Sequence, residues 1–234
     1  MSYTKIGIVG GVGPSATVLY YQQIIEGYRD RIGGTHYPEI LIHSLDLGEI
    51  NEYFYADDLE SLSNKLVQAV NGLERAGCGF AVIACNAMHM VFDRVQQRVN
   101  VPMVSIIDAV LEEVKRHRIK RVGIMGTIFI MRSEIYRGPL ELAGIECVQP
   151  GKDEQDWIME AIQGDLQRPN IPEETVSRLM QDVQHLGTQG AEAVILACTD
   201  LPVAIKEEHS PVALLDTTKI HVRATLDFAL GKNE

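Results

Sequence analysis

The chain has 234 residues, 46% hydrophobic and 23% charged, with a net charge of −11. That length supplies ample core for one large or two small domains, and the acidic balance argues against nucleic acid or an anionic membrane surface as a partner. No apolar run reaches the roughly 18 to 20 residues of a membrane span, and Met1-Ser-Tyr-Thr-Lys runs into a strand without a secretory leader, so a cytoplasmic protein is expected.

In chain order, short apolar runs predict strands over Ile6–Gly10, Ile40–Leu45, Phe80–Ala84, Met103–Ile106, Val122–Met125, Glu146–Gln149, Ala193–Ala197 and Val212–Leu215. Helical periodicity covers Thr17–Arg31, Ser61–Ala76, Ile107–Arg116, Ser133–Ala143, Asp156–Gln163 and Pro172–Leu186. Strands alternating with helices in this way build parallel α/β sheets.

The chain carries an internal duplication. Gly77-Cys-Gly-Phe-Ala-Val-Ile-Ala-Cys85-Asn86 and Gly190-Ala-Glu-Ala-Val-Ile-Leu-Ala-Cys198-Thr199 share one pattern, and 190 − 77 and 198 − 85 both give 113. Lys5-Ile-Gly-Ile-Val-Gly10-Gly11 matches Arg121-Val-Gly-Ile-Met-Gly126-Thr127, and Val101-Pro-Met-Val-Ser-Ile-Ile-Asp108 echoes Ser210-Pro-Val-Ala-Leu-Leu-Asp216. The expected architecture is two similar α/β lobes with parallel sheets: residues 1–100 with 210–234, and 101–209. The ligand cleft is expected between them.

Cys85 and Cys198 follow matched strands. Each is placed at a carboxyl sheet edge and at the start of the next helix, where the helix dipole favours an anion and a thiol pKa can fall. Two such thiols at equivalent positions suggest a shared reactive role at one cleft. Asn86 and Thr199 follow them, able to bond helix backbone or ligand. His89, one helical turn beyond Cys85, is read either as thiolate support or substrate contact, or as an ordinary satisfied histidine. Cys78 and Cys147 read as small packed residues. With no C-x-x-C pair and no His-rich spacing, neither a disulfide framework nor a metal site is expected. Gly11-x-Gly13-x-x-Ala16 follows the first strand and fits a dinucleotide fingerprint, with Asp46 after the next strand, yet the second half has no counterpart. Pro14 suits a first helical turn. Asp108 and Asp216 read as turn or cap residues.

On these residues the chain resembles the aspartate/glutamate racemase family along essentially its whole length. The opening Ile-Gly-Ile-Val-Gly-Gly-Val-Gly-Pro-x-Ala-Thr, Cys85-Asn86-Ala87-Met88-His89, Gly126-Thr127, Tyr136-Arg137-Gly138, Asp153-Glu154-Gln155 and Ala197-Cys198-Thr199-Asp200 carry the likeness. The resemblance implies an amino-acid racemase, most readily of aspartate or glutamate, that uses no pyridoxal or other cofactor. Cys85 and Cys198 would be its two bases. Gly11, Val12, Asn86, Ala87, Thr127 and Thr199 would bind substrate. Exchange of the last strands between lobes and a homodimer are also implied.

The likeness departs at three places. Ala87 stands where many members carry Thr. Asp156-Trp157 follows Asp-Glu-Gln where some aspartate-specific members place Lys. His43-Ser-Leu-Asp46 lacks the Arg of those members. No basic residue is therefore placed for a side-chain carboxylate. Hydantoin or allantoin racemase and maleate isomerase are the enzyme alternatives. A redox thiol pair or a nucleotide-binding protein is the alternative from another class.

Overall fold

The computed structural model describes residues 3–231; the Met1-Ser2 start and residues 232–234, which the reading placed in the first lobe, lie outside the described residues. In chain order the first half runs β1 (Ile6–Gly10), α1 (Pro14–Ile32), β2 (Ile40–Ser44), α2 (Leu47–Tyr55), α3 (Leu59–Arg75), β3 (Phe80–Ile83), a 3-10 turn over Ala87–Val91, α4 (Phe92–Gln96), β4 (Met103–Val104) and α5 (Ile106–Arg116). The second half runs β5 (Arg121–Gly126), α6 (Ile128–Met131), α7 (Glu134–Leu142), β6 (Glu146–Val148), α8 (Lys152–Gln163), α9 (Glu173–Thr188), β7 (Ala193–Ala197), α10 (Leu201–Ala204), β8 (Ala213–Asp216) and α11 (Thr217–Ala229). The strands form two four-stranded parallel sheets of one topology, β2-β1-β3-β4 and β6-β5-β7-β8. The helices α2, α4, α6, α10 and α11 were not read from the sequence.

Register repeats as well as order. Ile6 pairs with Phe80 in the first sheet and Val122 with Ala193 in the second, the very positions that the duplicated motifs equate. The fourth landmark is out of step. Ala81 pairs with Met103 and Val194 with Leu214, so Asp216 stands where the first half has Ser105, not Asp108. Asp108 instead lies in the first turn of α5.

The chain divides into two compact units. One runs to Ala109 and resumes at Thr218; the other is Val110–Thr217. The expected boundaries near 100/101 and 209/210 therefore fall too early. The last strands are not exchanged either, because β4 pairs with β3 and β8 with β7. What returns to the first unit is α11. Along β3 and the two residues that follow it, Phe80, Val82 and Ala84 pack with α1 and with Val222, Leu226 and Ala229 of α11, while Ala81, Ile83 and Cys85 face the cluster built from α2, α3 and α4. The alternation follows the pleat of a strand covered on both faces. In the second unit, Val194, Leu196 and Cys198 lean on a core of α8, α9 and α10 residues.

Candidate active site

A parallel sheet with order 2-1-3-4 reverses direction between its first and third strands, and ligands bind at the carboxyl ends of those two strands. In the first unit that switch point is formed by β1 and β3. The segments leaving it are the glycine turn and Cys85. In the second unit it is formed by β5 and β7, and the segments are Thr127 and Cys198. Each thiol thus stands one strand away from the turn that the duplication pairs with it.

The first turn is closed on itself. Gly11 has φ +82° and an added Cβ would lie 2.2 Å from the Leu45 carbonyl oxygen, so only glycine fits. Its N–H donates to Thr17 Oγ1 at 2.9 Å. Pro14 opens α1, as expected, with Gly13 at the cap. Val12 is buried in the core. Asp46 caps α2, accepting from Gly48 N at 2.8 Å and Glu49 N at 3.4 Å. The two features that suggested a nucleotide are both occupied by local structure.

Cys85 is half-buried. Burial pushes its thiol above the ordinary value, and the N–H groups of Met88 and Ala87 pull it back only in part. The lowered thiol pKa expected from the helix start is thus not what the first unit shows: desolvation outweighs two N–H donors. Ala87 serves the sulfur with its backbone. Asn86 is buried beside it.

His89 neither supports the thiol nor stands free. Its Nδ1 lies 2.8 Å from the Cys85 carbonyl oxygen, and its Nε2 accepts from Ile106 N at 3.1 Å, which fixes the proton on Nδ1. Burial, with His221 nearby, holds His89 down to about 3 against the pull of the Cys85 and Asn86 backbone. It is a neutral clamp tying the Cys85 backbone to the start of α5. His221, on α11, accepts from Tyr20 OH at 2.8 Å and donates to the Val104 carbonyl at 2.9 Å, and burial holds it down to about 4. The two rings meet edge to face with centroids 5.9 Å apart. The helix that returns to this unit is therefore fastened to β4 and α1 beneath the Cys85 segment.

In the second unit Cys198 is half-buried, with its Sγ 3.8 Å from Asp200 Oδ2. Gln167 Nε2 donates to the same oxygen at 3.1 Å. Burial raises Asp200 above the usual carboxylate range, opposed by those two hydrogen bonds. Asp200 thus joins the surroundings of Cys198, and an acid two residues past a thiol is the signal for it in the sequence. Thr199 is half-buried next to it. Thr127 Oγ1 is buried without a hydrogen-bond partner, and it caps nothing in α6. An unpaired buried hydroxyl costs about 1 to 3 kcal/mol, which a ligand oxygen at this edge would relieve. Among the described residues no cluster of His, Cys, Asp and Glu could hold a metal ion, and no helix is long and apolar enough to cross a membrane.

Each of the two duplicated parallel α/β units carries one thiol at its own switch point. The sequence profile of the Asp/Glu/Hydantoin racemase family matches residues 9–225, and the chain belongs to that family. It is thereby an isomerase of the amino-acid racemase class. An aspartate racemase homologue from Pyrococcus horikoshii is 36% identical, covering 97% of this chain and 99% of its own, with a TM-score of 0.87. The broad specificity amino-acid racemase RacX of Bacillus subtilis is 26% identical over 232 residues, 97% of this chain and 98% of that protein. A glutamate racemase isoform from Bacillus anthracis shares the fold, with a TM-score of 0.72 at 16% identity over 100% of this chain and 84% of that one.

Proposed function

We propose that this protein racemises an α-amino acid without pyridoxal or metal, by two-base proton transfer between Cys85 and Cys198. The observation that carries the reading is the equivalence of the two thiols: both follow strands paired in one register within sheets of one topology. A single base returns its proton to the face it came from. Inversion without a cofactor needs a base on one face of the α-carbon and an acid on the other, and two matched thiols supply both.

The surroundings of the two sulfurs differ: Cys85 meets the N–H groups of Met88 and Ala87, which only partly offset its burial, and Cys198 meets the Asp200 carboxylate. One sulfur acts as base and the other as acid, and the roles exchange in the reverse reaction. Removal of the α-proton leaves charge on the substrate carboxylate. Asn86, Thr127 and Thr199 are its proposed donors, with Gly11, Val12 and Ala87 shaping the backbone around it. The same reading takes the protein as a cytoplasmic homodimer acting on a small molecule.

The similar proteins include an aspartate racemase homologue, a glutamate racemase isoform and a broad specificity amino-acid racemase, so the likeness leaves the substrate side chain open. The test is a pair of variants. Cys85→Ala and Cys198→Ala should each reduce racemisation at least about 1,000-fold, the scale of losing a proton-transfer group. Near-normal turnover by either variant would overturn the two-base assignment.

A further inference from the structure

The free edges of the two sheets differ in how they are protected, and the docking face argued from them rests on the homodimer proposed above. An exposed edge strand offers unpaired N–H and C=O groups to any other chain, and proteins blunt such edges by shortness, charge or proline. Among the described residues three of the four edge strands are blunted. β4 has two residues. β6 has three, and Arg121 Nε donates to Glu146 Oε2 on it at 2.7 Å. β8 has four, closely follows Pro211 and ends on Asp216. β2 is different: Ile40-Leu-Ile-His-Ser44 has five residues and no Lys, Arg, Asp, Glu or Pro, and Ile42, His43 and Ser44 are exposed.

Hydrogen bonding fixes which groups of β2 point outward. Ile6 N donates to the Glu39 carbonyl and Leu45 N to the Gly10 carbonyl. By alternation Leu41 and His43 also bond toward β1, and the N–H and C=O groups of Ile40, Ile42 and Ser44 face away from it. Beside that edge α1 carries a second apolar row. Gly27 and Arg31 mark its α11 side, where an added Gly27 Cβ would meet Leu226 and Arg31 Nη1 donates to Asp227. One position further round, at spacings of three and four, run Val18, Tyr21, Ile25, Tyr28 and Ile32. Val18 is 56% and Tyr21 46% exposed, and Ile25 and Ile32 are half-buried. Ile42, 41% exposed, follows Ile40 on the α1 side of β2. The row ends at a hollow of about 500 Å3 that Tyr28 and Ile32 line with Tyr3, His36 and Tyr37.

We infer that a second copy of this chain docks here: the β2 edges of two copies pair antiparallel about a two-fold axis, and the two α1 rows pack together over the seam. Such an axis presents one patch to itself, and Ile42, the middle residue of β2, then exchanges N–H and C=O bonds with its counterpart. Charge favours a like partner. Each chain has a net charge of −11, so two copies meet with least repulsion across a patch without charge, and neither the five residues of the row nor β2 contains Lys, Arg, Asp or Glu. A basic partner would be drawn to acidic surface instead. Area suffices as well. The 19 residues of α1 span about 28 Å, and the helix and strand layers together are about 20 Å deep, which gives on the order of 600 Å2 per copy against roughly 600 to 1,000 Å2 in a standard interface.

Sedimentation velocity reads the assembly. At about 10 μM the wild type should sediment at twice the 26.0 kDa of one chain. Tyr21→Glu and Ile42→Lys each place a charge in the seam and should weaken the dimer at least about 100-fold. Ile42→Pro removes an outward N–H while sparing the bonds to β1, and should weaken it comparably. Leu142→Glu, at a 91% exposed position of the second unit, should leave the dimer unchanged. Hydrogen exchange needs no variant: in the wild-type dimer the Ile42 and Ser44 amides should exchange at least about tenfold more slowly than free amides. A wild-type monomer overturns the inference, and is the result expected of a face that serves a different protein. A dimer that survives folded Tyr21→Glu and Ile42→Lys, or whose Ile42 amide exchanges freely, overturns it too. Each of these results leaves the racemase chemistry standing, and failure of the cysteine variants to lose turnover would leave this face standing.

Discussion

Replacing His221 with glutamine should make the protein more resistant to acid. The ring is buried, accepts from Tyr20 OH and donates to the Val104 carbonyl, and is held neutral with a pKa of about 4 against an ordinary 6.5. Because the folded value lies below the unfolded one, the unfolded chain binds more protons between those values. Stability from this residue is complete above pH 6.5 and is lost as pH falls toward 4. At pH 5 the loss from 6.5 amounts to about 2 kcal/mol, at about 1.36 kcal/mol per pH unit. Glutamine keeps one donor and one acceptor and does not titrate. Urea midpoints of wild type and His221→Gln, taken at pH 7.5, 6.0 and 5.0, measure the difference directly. The variant should be equal to or weaker than wild type at pH 7.5 and gain about 2 kcal/mol relative to it by pH 5. Parallel pH dependence of the two proteins would refute the claim that a neutral histidine clamps α11 to this unit.

Two further substitutions separate site from scaffold. Thr127→Val removes a buried hydroxyl that has no partner, so melting temperature should hold or rise slightly while kcat/KM falls about 10- to 100-fold; a large loss of stability would show that Oγ1 has a structural role. Asp200→Asn takes away the carboxylate facing Cys198. Alkylation of Cys198 by iodoacetamide at pH 7.5, followed by mass spectrometry, should quicken several-fold, with kcat/KM for racemisation down about tenfold in both directions. Unchanged alkylation would remove Asp200 from the account.

The alternation of buried runs and helices was legible because the central strands are apolar on both faces: Ile6–Gly10, Phe80–Ile83 and Ala193–Ala197 are buried throughout. The duplicated cysteines were legible because a fixed spacing survives wherever register survives. The matching of Asp108 to Asp216 failed for the opposite reason. A two-residue strand such as Met103–Val104 sets register through only two pairs, and a Pro followed later by an Asp is too common a pattern to fix it. The short helices α6 and α10 lie below the length at which periodicity can be seen, and the sequence reading passed over Thr217–Ala229, which is longer. The role of α11 as the cover of the first unit depends on Val222, Leu226 and Ala229 meeting residues some 200 positions earlier. Local pattern carries no such information. The same holds for the thiol environments. A helix start predicts a lowered pKa, but burial of Cys85 decides the sign, and burial is a property of the fold.

The most direct test of the central claim follows the α-proton itself. L- and D-forms of a turned-over amino acid are incubated separately with the protein in D2O, and the isotope content of substrate and product is read by NMR and chiral chromatography during the first few per cent of reaction. Two thiols acting from opposite faces predict a product that carries solvent deuterium from the outset, while unreacted substrate keeps its proton. A product that retains the substrate's own proton, or a substrate that washes out before any product forms, would mean that one base does the work and would contradict the pairing of Cys85 with Cys198.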